Sequence, residues 1–268
     1  MSMPLDIVLV RHGESEGNVA SRMSKKGDNS AYTNEFRQRH NSLWRLTDKG
    51  IDQAKAAGKW LREHGLDRYD VYYVSAFIRA METASYLNLP EAEWKQNIYL
   101  REIGWGALVL MTHQERLINF AEEMKRKERD GVYFGPLGGE SEIDTAFRVD
   151  RVNDTLSREC SDMSVCMVNH GTVINAFRFL YERFTVAQFQ ELLLSKDPKD
   201  EIHNCQIMHY SRRDPVTRKV LPHLSFVRSI CPWDESLSSN EWREIIRPTF
   251  SNEQLLELVS QTTRLISG

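Results

Sequence analysis

The chain has 268 residues, 41% hydrophobic and 27% charged, which is enough to bury one substantial core and fits a single α/β domain, 1–268, carrying insertions. A formal net charge of −3 lacks the basic footprint of a nucleic-acid binder. The four cysteines form no C-x-x-C pair, residues 1–10 lack the features of a signal peptide, and no apolar run approaches the roughly 18 residues of a bilayer span, so a cytoplasmic protein without a membrane anchor is expected.

In chain order, the apolar run Leu5 to Val10 predicts a buried strand that delivers Arg11 and His12 into a Gly-containing turn. "LTDKGIDQAKAAGKWLREHG" follows as a helix capped by Thr47 and stopped at Gly65, with Ile51, Ala54, Ala57, Gly58 and Leu61 on one face. "YDVYYVS" (69–75) reads as a strand and "FIRAMETASYL" (77–87) as the helix after it. "VCMVNHG" (165–171) repeats the pattern, a buried strand ending in a His-Gly turn before "TVINAFRFLYERF". Residues 204–211 and 224–230 predict further strands. This rhythm implies a mostly parallel sheet flanked by helices on both faces, with its site at the carboxyl ends of the strands.

Two stretches interrupt the rhythm. Residues 19–46 read as a long, locally basic connection holding Arg22, Lys25, Lys26, Arg37, Arg39 and Arg45. Both its ends are held near the first strand's turn, so Lys25, Lys26, Arg37 and Arg39 are expected to select multiply charged anionic substrates. Residues 105–158 read as a helical cap insertion near the site, with two helices opened by capping boxes at Thr112/Glu115 and Ser141/Asp144 and a Gly/Pro hinge between them. The tail from 233 becomes helical within 240–268, opened by Ser251 and Gln254, and is a candidate for docking on its own domain or for forming a homodimer.

Three strands thus end in residues of one chemical character: Arg11-His12, then Ser75 through Arg79, then His170-Gly171. At one sheet edge these make a pocket of two guanidiniums and two imidazoles, suited to a phosphoryl group. Glu102, at the end of a short strand-like run, adds one carboxyl group and so points to proton transfer. Each residue has a plainer alternative: Arg79 could pair with Glu82 along a helix, and Glu82, Glu140 and Glu142 rival Glu102. His203, Cys205 and His209 share one side of a strand but show no fourth ligand, so no metal is expected.

Taken in order, "LVRHGESEGN", "LTDKGIDQAKAAG", "VSAFIRAMETA", "LREIGWG", "GGES" and "VNHGTVI" resemble the histidine phosphatase superfamily, in its phosphoglycerate mutase-like branch, over roughly residues 5–180. The resemblance implies that His12 is a nucleophile forming phosphohistidine and must be neutral at its attacking nitrogen. It also implies that Arg11, Arg79 and His170 bind the phosphoryl oxygens, that Asn18 assists as a neutral donor, and that Glu102 is the acid and then the base. No cofactor or metal is required, and the partner is a small phosphorylated anionic substrate. The segments 24–40 and 125–141 depart from the mutase pattern, which favours a metal-independent phosphatase. A mutase-type phosphotransferase, a non-catalytic phosphate-binding module and a nucleic-acid binder are the alternatives.

Overall fold

The computed structural model describes residues 2–266. From the N-terminus, β1 (Asp6–Arg11) is followed by α1 (Glu16–Lys25), α2 (Asn34–Gln38), α3 (Asp48–Glu63), β2 (Val71–Ser75), α4 (Ile78–Leu87) and β3 (Trp94–Asn97). Next come α5 (His113–Asn119), α6 (Ala121–Asp130), α7 (Glu142–Glu159), β4 (Ser164–Asn169), α8 (Gly171–Tyr181) and α9 (Val186–Leu194). The chain continues through β5 (Ile207–Ser211), β6 (Phe226–Ile230), β7 (Arg243–Glu244) and α10 (Asn252–Ser260).

The strands form one sheet in the order β3-β2-β4-β1-β5-β6-β7. β3, β2, β4 and β1 run parallel, and β5, β6 and β7 each pair antiparallel with the preceding strand in that order. The β5–β6 connection holds no helix, so the chain reverses on itself there, whereas helices carry the chain between the strands of the parallel half. β1 is buried on both faces because its side chains alternate. Ile7 and Leu9 join the core under α7 and α8, and Val8 and Val10 join the core under α3 and α4. The result is an α/β fold with helices on both faces and the carboxyl ends of β1, β2 and β4 side by side. No helix among the described residues is long and apolar enough to cross a membrane.

Four expectations change. The 19–46 segment is largely helical, and α1 opens with a capping box between Ser15 and Asn18. Its arginines are paired rather than free: Arg22 with Glu14, Arg37 in a fork with Glu115, Arg39 with Glu35, and Arg45 with Glu82. Within 105–158, α7 is a core helix and not part of a cap, because Ala146, Val149, Val152 and Leu156 at spacings of three and four place one face on the sheet. The added layer is α5 and α6. At the tail, α10 has the predicted capping box at Ser251 and Gln254, but all its residues are exposed, so it does not dock on its own domain.

Candidate active site

β1 leads into a turn whose main chain is held from three sides. The His12 N–H donates to the Asn169 carbonyl at 2.9 Å, its carbonyl accepts from Asn204 Nδ2 at 3.0 Å, and Gly13 N–H donates to Thr83 Oγ1 at 3.0 Å. The glycine at 13 is a packing requirement, since a Cβ there would lie 2.3 Å from the Gly50 carbonyl at the start of α3. In the ring of His12, Nδ1–H donates to its neighbour's Gly13 carbonyl at 2.7 Å. That fixes the tautomer, so Nε2 keeps its lone pair and accepts from Arg79 Nε at 3.2 Å.

Arg79 lies in the first turn of α4, where the sequence also allowed a pair with Glu82. Glu82 instead bonds Arg45 and the Leu46 N–H, and the Arg79 guanidinium turns inward over the Phe77 ring and donates to the Asn41 carbonyl at 2.8 Å. Arg11 donates to the Ile202 carbonyl and has a buried Nε without a partner. His170 ends β4 as the N-cap of α8, where no side-chain cap bond forms. Its Nε2 meets Ser75 Oγ at 2.8 Å, its ring lies 5.0 Å from that of His12, and its buried Nδ1 is unpartnered, 3.8 Å from Glu102 Oε2.

Glu102 does not end a strand, contrary to the sequence reading. β3 stops at Asn97, a 3₁₀ turn spans Ile98–Leu100, and Glu102 follows in a loop with Oε1 accepting from the Ile103 N–H. Its rival Glu140 is engaged by Arg101, Arg148 and the Gly104 N–H. Asn18 lies at the edge of the group, its Oδ1 occupied by Ser15 and by Asn204 Nδ2 at 3.2 Å. Asn204, which holds the His12 main chain, carries no local motif that would have singled it out, whereas Ser75, which meets His170, opens the strand-end segment through Arg79 that the sequence marks. His203 and His209 are diverted to the Pro198 carbonyl and to Asp6, so with Cys205 they form no cluster.

Burial, then the charges of Arg79 and Arg11, hold the His12 imidazole well below its usual 6.5. Burial and the same guanidiniums, with His12, lower His170 likewise. Burial also lowers Arg79, to about 10, where it is still cationic at neutral pH. The site therefore presents two neutral imidazoles, two guanidinium charges and one carboxyl group. Donor atoms of His12, Glu102 and His170 lie within 4.8 Å of one another, spacing that a cation could span. The two guanidiniums make the same space favourable to an anion instead.

These shifts set a pH dependence. With folded values below the unfolded 6.5, the unfolded chain binds more protons than the native one once the pH drops below 6.5, so the imidazoles' stabilisation is full above that pH and is lost on acidification. Glu142 works in the opposite sense. Burial, then the Glu102 charge, raise it to about 7, so between its ordinary 4.5 and about 7 the native state holds a proton that the unfolded state lacks. Melting temperature is expected to fall between about pH 7.5 and about pH 5.5, and to fall further in Glu142→Gln. A flat profile in Glu142→Gln, where that offset is absent, would show that the imidazoles protonate freely inside the fold.

The sequence matches the family model of the histidine phosphatase superfamily (branch 1) over residues 7–211. It is 30% identical over 192 residues to a 2,3-bisphosphoglycerate-dependent phosphoglycerate mutase of Methylobacterium radiotolerans, covering 69% of this chain and 83% of that protein. It is 28% identical to the enzyme of the same name from Rhizobium meliloti, covering 70% and 85%. Among solved structures, a mycobacterial glucosyl-3-phosphoglycerate phosphatase complexed with VO3 superposes with a TM-score of 0.59 at 25% identity, covering 77% of this chain and 92% of that one. A putative alpha-ribazole-5'-P phosphatase from Escherichia coli shares the fold, with a TM-score of 0.62 at 19% identity, covering 82% and 96%.

Proposed function

The chain belongs to the histidine phosphatase superfamily, branch 1, and on that premise we propose that it is a metal-independent phosphatase that hydrolyses a phosphomonoester through a phosphohistidine at His12. The observation that carries the reading is the His12 ring itself, with Nδ1–H held by the Gly13 carbonyl and a lone pair left on Nε2. Nε2 attacks phosphorus as the ester P–O bond breaks, and the Gly13 carbonyl stabilises the positive charge that the ring acquires. Arg11 and Arg79 hold peripheral oxygens. Ser75 Oγ accepts from Phe77 N–H, and in the tautomer where its hydroxyl donates to His170 Nε2, Nδ1–H serves as a neutral third donor. Protonated Glu102 gives its proton to the departing oxygen. Its carboxylate then takes a proton from the water that displaces His12 from phosphorus, releasing phosphate and restoring the neutral imidazole.

The relatives' names favour the mutase reading, in which an acceptor hydroxyl takes the phosphoryl group in place of water. Against it stands the fate of the basic segment 19–46, whose arginines are committed to carboxylates rather than held for a second anionic group. Four free, buried cysteines support a reducing, cytoplasmic setting. The test is release of inorganic phosphate from 4-nitrophenyl phosphate in EDTA. Turnover unchanged by the chelator is expected, and loss of turnover restored by a divalent ion would overturn the metal-independent mechanism.

A further inference from the structure

A cavity of about 340 Å³ opens beside the phosphate site and shares Arg11 and Glu102 with it. The rest of its wall comes from the start of α8, including Thr172 and Asn175, from Leu192 and Leu193 at the end of α9, and from the connection to β5, including Asp200 and Glu201. Because Glu102 would protonate the departing oxygen, the space next to that carboxyl group is where the rest of the substrate must lie. We propose that this cavity receives the leaving group and selects a small, hydroxyl-bearing alcohol that carries no negative charge, a polyol or amino alcohol. The inference rests on the phosphatase reading of His12 and gives it a substrate class.

Size and chemistry both support this class. The volume lies at the small end of ligand cavities and has ample room for a short polyol. The wall is rich in acceptors. Asn175 Oδ1 is buried with no hydrogen-bond partner, which is costly unless a ligand O–H or N–H meets it. Asp200 accepts from Ser195 Oγ at 2.6 Å at the cavity edge. Glu201 makes no ion pair among the described residues, and its charge is felt at Arg11. Apart from Arg11, which belongs to the phosphate site, every charged residue of the wall is acidic. A leaving group with a carboxylate or second phosphate would meet Asp200 and Glu201 together, an unfavourable contact that discriminates against it.

This reverses the expectation drawn from the 19–46 segment. None of its basic residues lines the cavity, and Arg37 and Arg39 are held by Glu115 and Glu35. Selection by charge therefore comes from the opposite side of the site and has the opposite sign.

The test compares sn-glycerol 3-phosphate, phosphoethanolamine and 3-phosphoglycerate, which are of similar size and differ in charge at the far end, with 4-nitrophenyl phosphate as the reference. The first two are expected to exceed 3-phosphoglycerate in kcat/KM by about tenfold or more at low salt, with the gap narrowing as salt screens charges over about 10 Å at 0.1 M. Glu201→Gln, at an exposed side chain whose replacement leaves the fold intact, should raise 3-phosphoglycerate relative to glycerol phosphate several-fold, and Asp200→Asn should act in the same direction. Asn175→Leu should lower glycerol phosphate relative to 4-nitrophenyl phosphate. Equal or better use of 3-phosphoglycerate, with 4-nitrophenyl phosphate still hydrolysed, overturns the cavity assignment and leaves the phosphatase reading standing. A charge preference unmoved by both carboxamide variants overturns the role given to Asp200 and Glu201. Failure to release phosphate from any of the four removes the phosphatase reading and this inference with it.

Discussion

His12→Ala is expected to lower kcat/KM by about 10⁴-fold or more on every phosphomonoester tested, roughly 5 kcal/mol of transition-state stabilisation. The loss should be this large because His12 Nε2 is the lone pair the fold prepares in the pocket, with its tautomer fixed on one side and a guanidinium on the other. His170 does not replace it, since its Nε2 is bonded to Ser75 and its Nδ1 faces Glu102. Brief exposure of the unaltered protein to phosphate-labelled substrate should leave acid-labile, base-stable label on His12, and the variant should carry none. The fold should survive, which a thermal melt will check, because the substitution takes a neutral ring from beside two cations and leaves the main-chain bonds of the turn in place. Label on a serine, or turnover within tenfold of the original, would end the phosphohistidine mechanism.

Glu102→Gln should produce a loss that depends on the leaving group. The amide keeps the shape and removes the proton, so an alkyl phosphate, whose alkoxide departs poorly, should slow by about 10²- to 10⁴-fold, and an activated aryl phosphate much less in the phosphorylation step. Single-turnover measurement is needed, because slow hydrolysis of phosphohistidine would hide the contrast in steady state. Equal loss for both substrates would remove Glu102 as the acid. Glu140 does not inherit the role, as Arg101, Arg148 and the Gly104 N–H hold its carboxylate below the ordinary range. Glu142 does, with a buried, unpartnered Oε2 and a carboxyl group raised to about 7 by burial and the charge of Glu102.

The parts of this molecule that are written locally were readable from its sequence. Capping boxes at Thr112/Glu115, Ser141/Asp144 and Ser251/Gln254 appear where the residues place them, since a cap needs only four consecutive positions. The strands that deliver Arg11, His12 and His170 were legible as apolar runs ending in turns, and the register Arg11 to Asn169 brings the two histidines together. α1 was not legible, because it buries only Ala20 and Ser24 and so shows no apolar period. The apolar spacing of α7 was present, but a sequence does not say which surface that face meets. Arg37 and Arg45 of the 19–46 segment looked free because their carboxylates lie elsewhere in the chain, on Glu115 and Glu82. Asn204 reaches His12 across nearly the whole sequence, a contact made only by the finished sheet.

The central place of β1 has a consequence for how the molecule is made. Asp6 pairs with Ser164 on one side and with Ser211 on the other, so the first strand to leave the ribosome has no neighbour until about 160 further residues have been synthesised. At ordinary translation rates of roughly 5–20 residues per second, its apolar run stays unpaired for on the order of ten to thirty seconds, an interval in which chaperones compete with aggregation. Pairings so distant in the chain also close slowly once available. The nascent chain therefore passes most of its synthesis without a phosphate site, and Arg11 and His12 are translated first yet acquire their chemistry only after β4 and β5 have enclosed them.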